Sequence, residues 1–176
     1  MLSENIYTLL NNQVTEEQNA AYKYLQMAAW AAEKGLDGAA KFFRTHSQEE
    51  EGHRDRIFDY LIETGQSVRL GELPAPQAEF SSLMDVIQAA YEHEKRVTRL
   101  IKNIAEQSFA EKDYQTFNFI QWFIAEQHEE EALFMTVLDK AKVLGYTGQD
   151  SGEALYLFDQ YLAGAHGGEK EGGENA

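Results

Sequence analysis

Apolar residues recur every three to four positions along most of the chain, which is the spacing of one buried face of an α-helix. Together with capping residues and helix-ending glycines, this period predicts four long helices. Their predicted bounds are about Glu4 to Lys34, Gly38 to Thr64 with Asp37 as the cap, from just after Ser81 or Ser82 to Ala110, and Asp113 to Leu144.

A short fifth helix is predicted close to the carboxyl end. The pattern Asp150-x-x-Glu153 is typical of a capping box, and apolar residues follow from Ala154 to Ala163. Residues 164–176 contain five glycines and alternating charges, a composition that predicts disorder. We therefore expect one domain over residues 1–163 and a glycine-rich acidic tail over residues 164–176.

The connections between the helices predict the topology. The first and second helices, and the third and fourth, are joined by only a few residues, which predicts antiparallel hairpins. The segment between the second and third helices holds both prolines, Pro74 and Pro76, and its roughly 15 residues could extend ~50 Å. Helices of about 30 residues are ~45 Å long, so this segment could travel their whole length. The prediction is an all-α four-helix bundle with one long crossover plus a short fifth helix.

Composition limits the partners and the chemistry. The 176 residues are 43% apolar, enough for one sizeable core, and 15 basic against 30 acidic residues give a net charge of −15. This charge argues against nucleic acid or an anionic membrane as partner and favours cations. With no cysteine, any metal must be bound by carboxylate, imidazole or amide groups. No apolar window long enough to span a membrane and no secretory leader is found, so a soluble, cytoplasmic protein is expected.

Each predicted core face is interrupted by one polar residue at about the same level of the bundle. These residues are Glu17, Glu50, Glu94 and Gln127, each about 12 to 14 residues, or ~20 Å, from the start of its helix. Burying unpaired charges together is costly, and no lysine or arginine occupies a core position to neutralise them. Bound cations are the simplest compensation.

The spacing around these positions predicts ligands for two metal ions. Glu50 and His53 lie three residues apart on one helix face, as do Gln127 and Glu130. Tyr24 is two turns from Glu17 on the same face, where it is either a hydrogen-bond donor to a metal-bound carboxylate or a plain core tyrosine.

Residues beside the core faces complete the candidate site. Three neighbouring glutamates border it and could hold a third ion: Glu49, Glu126 and Glu129. We interpret His46 as a hydrogen-bonded core histidine and not as a ligand. His93 and His128 fall off the core faces and are expected to be exposed.

These residues, with the stretches 116–122 and 125–131, resemble the ferroxidase centre of bacterial non-haem ferritins, and the resemblance extends over about residues 1–162. It implies the ferritin-like version of the predicted bundle. It also implies a first iron site of Glu17, Glu50 and His53, a second of Glu50, Glu94 and Glu130, and a third of Glu49, Glu126, Glu129 and Glu130. Gln127 would line the centre.

The resemblance distinguishes this chain from related families. Bacterioferritins carry a haem-ligating methionine where this chain has Glu51, and a second Glu-x-x-His where it has Gln127-x-x-Glu130, so no haem is expected. Rubrerythrins usually add a cysteine-ligated iron domain, which this chain cannot form. Starvation-type miniferritins lack a fifth helix and place their site between subunits.

The function implied by the resemblance is iron storage with ferroxidase activity. Fe(II) would be oxidised by O2 or peroxide at the di-iron centre, and Fe(III) mineral would be stored inside a cytoplasmic 24-subunit homo-oligomeric cage. The catalytic set would be Glu17, Glu50, His53, Glu94, Glu130, Gln127 and Tyr24. Two alternatives stay open: a non-catalytic subunit that buffers iron or zinc, and a monomeric or dimeric di-iron oxidase or peroxidase. The fifth helix, which such an oxidase would not need, argues against the latter.

Overall fold

The computed structural model describes residues 2–149 and 152–165, which contain five α-helices. The helices are α1 (Glu4–Glu33), α2 (Asp37–Glu63), α3 (Leu83–Ala110), α4 (Tyr114–Val143) and α5 (Glu153–Leu162). The all-α prediction is confirmed, and most predicted bounds lie within one residue of those observed. Within the described ranges, no helix is both long and apolar enough to cross a membrane; the cytoplasmic location stays a prediction.

Side-chain caps start three of the long helices. Ser3, Ser82 and Asp113 each accept a hydrogen bond from the backbone N–H three residues ahead, at 3.1, 3.1 and 3.0 Å. The prediction that Asp37 caps α2 is wrong. Leu36 occupies the cap position without a side-chain hydrogen bond, and Asp37 is the first helical residue. The amino end of α2 is satisfied from elsewhere in the chain.

The crossover between α2 and α3 follows α1 from one end to the other. Near its start, the Tyr7 hydroxyl donates to the Ser67 carbonyl at 2.8 Å, and near its end the Phe80 ring packs edge-on against Trp30. The segment therefore spans the length of the bundle, as predicted. It brings the start of α3 to the carboxyl end of α1, so α3 runs antiparallel to α1 and parallel to α2.

The core is apolar at both ends of the bundle and polar in the middle. One apolar cluster includes Leu10, Ile57 and Ile101, and the other includes Phe43 and Phe134. The four polar residues predicted to interrupt the core faces, Glu17, Glu50, Glu94 and Gln127, are all buried. The polar level lies between the two apolar clusters, which hold the four helices in register around it.

Helix α5 docks against the amino end of α2. Phe158 and Leu162 are fully buried in the core. Asp159 is also buried, and its carboxylate accepts hydrogen bonds from the backbone N–H groups of Gly38 and Ala39 at 3.1 and 2.8 Å. An aspartate 120 residues away in the chain thus provides the cap that Asp37 was predicted to supply.

The outer side of α5 is partly apolar and exposed. Three apolar residues, Ala154, Leu157 and Tyr161, recur at helical spacing on this side. Ala154 and Tyr161 pack at the edge of the core, whereas Leu157 is 42% exposed. Tyr156 is exposed beside it.

Parts of the predicted capping box of the fifth helix and of the predicted tail lie outside the described residues. Asp150 of the predicted capping box lies outside them, and Gly152 occupies the cap position without a side-chain hydrogen bond. Of the predicted tail, residues 166–176 also lie outside the described residues, whereas Ala165 is buried against the core.

Two glycines of α2 test the docking of α5. A Cβ added to Gly38 would lie 1.9 Å from the Asp159 carbonyl oxygen, a backbone atom, whereas a Cβ at Gly52 meets no described atom within 4 Å. We expect Gly38→Ala to lower the free energy of unfolding by about 1–3 kcal/mol, because α5 must shift. Gly52→Ala should raise it by roughly 0.5–1 kcal/mol, because alanine favours the helix. Thermal unfolding of both variants measures the difference; an unchanged Gly38→Ala would show that α5 does not pack as described.

Candidate metal centre

Four glutamates, one from each long helix, converge in the polar middle of the bundle. Glu17 is 1% exposed, Glu50 3%, Glu94 0% and Glu130 7%. His53, Gln127 and Tyr24 are buried at the same level. The 3.6-residue period explains this arrangement, since each glutamate takes one turn of an otherwise apolar face and turns at the same height meet when helices pack side by side.

The first cluster of potential ligands joins α1 and α2. Glu17, Glu50 and His53 each place one ligand atom within 4.8 Å of the other two. Within this group, His53 Nδ1 lies 3.2 Å from Glu50 Oε2. This group contains the residues that the family resemblance implies for a first iron site.

Glu94 is held by hydrogen bonds at both carboxylate oxygens. The Tyr24 hydroxyl donates to Oε1, and Gln127 Nε2 donates to Oε2 at 2.9 Å. Glu94 lies outside the cluster of Glu17, Glu50 and His53, but its charge acts on both Glu50 and Glu130. Of the two interpretations of Tyr24, the structure shows the hydrogen-bonded one. The Tyr24 ring is stacked against Phe43 and Phe134, which fixes the position of its hydroxyl group.

A second cluster lies on the α2–α4 side. One ligand atom from each of His46, Glu49 and Glu130 lies within 4.8 Å of the others. Glu49 and Glu126 are partly exposed and Glu129 is exposed, so the three glutamates border the buried site as predicted. The sequence predicts His46 to be a hydrogen-bonded core histidine and not a ligand. It is a core histidine, since Nδ1 lies 2.8 Å from the Phe42 carbonyl oxygen, but its other nitrogen faces this cluster.

Burial and mutual repulsion raise the pKa of the core glutamates. Burial is the largest cause at Glu17, Glu50 and Glu130, whose pKa values lie well above 4.5. Repulsion from Glu50 adds to the shift at Glu17, and repulsion from Glu94 adds to it at the other two. Burial also raises the pKa of Glu94, although the hydrogen bonds from Tyr24 and Gln127 oppose the shift. The site thus resists holding four negative charges unless a cation joins them.

Two carboxylate oxygens in the centre lack a hydrogen bond. Glu17 Oε2 and Glu130 Oε2 are buried and have no partner among the residues that the structure describes. A buried polar atom without a partner costs about 1–3 kcal/mol, and more when it is charged. Buried carboxylate oxygens without a hydrogen-bond partner are available to bind a cation.

Sequence reasoning missed Gln13. This residue is buried and its Nε2 donates to Glu17 Oε1 at 2.8 Å, so it orients one predicted ligand. A signal was present, because Gln13 lies one turn before Glu17 and shares its side of the helix.

The expectation that His93 is exposed is wrong, whereas His128 is exposed as predicted. His93 is 7% exposed, packs edge-on against Tyr24, and lies 3.3 Å from Lys23 Nζ through its Nδ1 atom. Burial, together with the charge of Lys23, lowers the pKa of His93 to about 3. His93 is therefore a neutral core residue at neutral pH.

Comparisons with known proteins agree with the helical-bundle fold. The family profile described as "Ferritin-like domain" matches residues 7–144. The chain is 45% identical over 162 residues to a bacterial non-heme ferritin of Campylobacter jejuni, covering 92% of this chain and 95% of that protein. It is 42% identical over 163 residues to a bacterial non-heme ferritin of Escherichia coli, covering 93% and 96%. In three dimensions it is similar to an open pore ferritin from Archaeoglobus fulgidus, with a TM-score of 0.86, 36% identity, and coverage of 93% and 98%.

Adjacent glutamates of α1 should affect the stability of the metal-free protein in opposite directions. The raised pKa of Glu17 means that the folded protein keeps a proton that the unfolded chain releases above about pH 4.5, so this group lowers stability as the pH rises. Two hydrogen bonds from Arg96, at 2.6 and 2.7 Å, lower the pKa of Glu16, so its contribution is present above that pH and lost as the pH falls.

We therefore expect Glu17→Gln to raise the unfolding temperature of the metal-free protein at pH 7 and to flatten its decline between pH 5 and 8. Glu16→Gln, the matched control, should lower the unfolding temperature slightly at pH 7. Calorimetry across this pH range measures both. A lower unfolding temperature for Glu17→Gln at pH 7 would contradict the assignment of an uncompensated carboxyl group.

Proposed function

The chain belongs to the ferritin family and is an iron-storage protein, and from this premise we propose that it oxidises Fe(II) at the intra-subunit cluster of glutamates. Fe(II) is the substrate, O2 or peroxide is the oxidant, and the Fe(III) product is stored as mineral in an oligomeric cage. The observation that carries the proposal is the convergence of four buried glutamates, one from each long helix, with raised pKa values.

Iron ions are the compensation that this charge requires. In the described part of the chain, the ion pairs of Glu50 and Glu130 involve histidines and none involves lysine or arginine. Carboxylates suit both states of the substrate, because they bind Fe(II) weakly enough to exchange and stabilise the additional charge of Fe(III). Because burial raises the pKa values of these carboxyl groups and a bound cation favours their ionised form, iron binding should release protons.

We assign the first Fe(II) to Glu17, Glu50 and His53, and the second to Glu50, Glu94 and Glu130. Glu50 would bridge the two ions, which is consistent with its position between His53 and the other glutamates whose charges shift its pKa. Tyr24 and Gln127 act as positioning residues, because each holds one oxygen of Glu94. A third ion would use Glu49, Glu126, Glu129 and Glu130.

Two adjacent substrate ions make the oxidation efficient. Each Fe(II) loses one electron, O2 accepts both electrons, and two protons complete the formation of H2O2. Ions about 3.5–4 Å apart can react with the same O2 molecule, which a single ion cannot match. The buried, largely apolar surroundings keep other reactants away from the centre.

Two other functions compete with this proposal. A non-catalytic subunit would bind iron or zinc in the same cluster without fast oxidation, and a small di-iron oxidase would use the cluster without forming a cage. An aerobic Fe(II) oxidation assay distinguishes a non-catalytic subunit from the proposed ferroxidase. A particle-size measurement distinguishes a small di-iron oxidase from a protein that forms a cage.

The exposed apolar residues support self-assembly. Tyr22, Leu25, Phe58 and Ile62 on α1 and α2, together with Leu157 on α5, are large apolar side chains at the surface of the single chain. We propose that they are covered in a 24-subunit cage, with α5 grouped around the fourfold axes.

Because Glu50 is assigned as the bridge between the two iron ions, its substitution should affect Fe(II) oxidation more than substitution of any other ligand. We expect Glu50→Ala to abolish the rapid phase of Fe(II) oxidation while the protein still folds, because the substitution also removes a buried charge. Glu51→Ala, the exposed neighbour on the same helix, is the matched control and should keep the wild-type rate. Stopped-flow oxidation under air measures the phase; a rapid phase that survives in Glu50→Ala rejects the assignment.

Removal of α5 should impair assembly without destroying the iron centre. A chain truncated after Gly148 loses the Asp159 cap and the apolar contacts of Phe158, but keeps all of the proposed ligands. We expect a helical, iron-binding protein that assembles poorly or forms leaky cages. Size-exclusion chromatography with light scattering, with a deletion of residues 167–176 as control, measures this. A stable full-size cage from the longer truncation would show that α5 is dispensable for assembly.

A further inference from the structure

His46 connects the buried iron centre with the glutamates at its border. It is 2% exposed and lies one turn before Glu50 on α2, packed among the rings of Tyr24, Phe42 and Phe134. Its Nε2 atom lies 3.6 Å from Glu130 Oε2 and 4.0 Å from Glu49 Oε2. The imidazole therefore faces two carboxylates from different helices.

The other ring nitrogen fixes the chemical form of His46. Nδ1 lies 2.8 Å from the Phe42 carbonyl oxygen, which can only accept, so Nδ1 carries the hydrogen. In the neutral ring, Nε2 then presents its lone pair to the carboxylates. A backbone carbonyl that orients the far nitrogen is the usual support for a metal-binding histidine.

The space between the three groups suits one ion. With ligand bonds of about 2.1 Å, the separations of 3.6 and 4.0 Å correspond to angles of about 120° and about 145° at a shared ion. Glu130 Oε2, which faces this space, is buried and has no hydrogen-bond partner within the described residues. This unpartnered oxygen is an independent sign that a cation belongs there.

We propose that His46 is a nitrogen ligand of the third ion, together with Glu49 and Glu130; this rests on the proposed function of the centre. The third site is then part buried, with His46 and Glu130, and part open, with Glu126 and Glu129. Because imidazole favours iron and zinc whereas carboxylates alone favour manganese, magnesium and calcium, His46 gives this site its preference for the former ions. Glu130, shared with the second iron site, links the two.

The test uses metal-free, full-length protein titrated anaerobically with Zn(II) alone and, separately, with Mn(II) alone. Calorimetry gives the number of ions bound per chain and the affinity of each class of metal-binding site. The test variant is His46→Gln. A second variant, Glu129→Ala, removes a ligand from the open half of the third site, so the class of binding site that it weakens is identified as the third site. His93→Gln is the matched control, since His93 is also a buried histidine beside Tyr24 but packs on α3, next to Lys23.

For the wild type we expect three Zn(II) ions per chain. In His46→Gln, the third site, which is the one that Glu129→Ala weakens, should bind Zn(II) at least about tenfold more weakly. The other two Zn(II) sites and the affinity for Mn(II) should be unchanged. A crystal of the zinc-loaded protein should show a bond from His46 Nε2 to this ion.

Three outcomes would overturn the assignment. Zn(II) affinity that is unchanged or tighter in His46→Gln would make His46 a spectator or a competing positive charge. An equal loss of affinity for Zn(II) and Mn(II) at all sites would show that His46 has a purely structural role. Binding of only two Zn(II) ions per chain by the wild type would show that the third site does not exist. None of these results touches the proposed ferroxidase function, which fails instead if the wild type binds Fe(II) without rapid oxidation.

Discussion

The repulsion among four carboxyl groups buried at one level of a helical bundle is the constraint on which the rest of this structure depends. An ionised carboxylate loses its hydration when it is buried, and like charges nearby add to the cost. The raised pKa values of Glu17, Glu50, Glu94 and Glu130 record that cost. Metal ions at the proposed sites between the helices would remove it, so the same charges that destabilise the empty protein would create its affinity for iron.

The surrounding structure holds these groups in place against their repulsion. Two apolar clusters, one at each end of the bundle, supply the packing energy and keep the helices aligned. Within the polar level, neutral donors hold single carboxylate oxygens: Gln13 for Glu17, and Tyr24 and Gln127 for Glu94. Neutral donors fix the orientation of a ligand without neutralising its charge, which leaves the charge available for a cation. A lysine in any of these positions would compete with the metal.

The topology places one ligand-bearing turn from each helix at the same height. The crossover returns the chain to the carboxyl end of α1, so the four helices overlap along their whole length. Helix α5 then closes the bundle at the start of α2, where the buried carboxylate of Asp159 accepts two backbone hydrogen bonds. The helix proposed for assembly and the proposed iron ligands therefore both depend on α2, which carries the α5 docking site at its amino end and Glu50, His53 and His46 further along.

Local patterns in the sequence determined most of the fold and the set of buried polar residues. Helical period, capping serines and helix-ending glycines act over one or two turns, so the bounds of the long helices and the burial of Glu17, Glu50, Glu94 and Glu130 could be predicted. Only the tertiary structure decided which residues those side chains meet. The burial of His93, the approach of His46 to Glu130, and the replacement of Asp37 by Asp159 as the partner of the α2 amino end all depend on contacts between distant segments. Periodicity states which side of a helix faces inward, but the partner of a side chain depends on the rotation and spacing of neighbouring helices, which packing of the whole core sets.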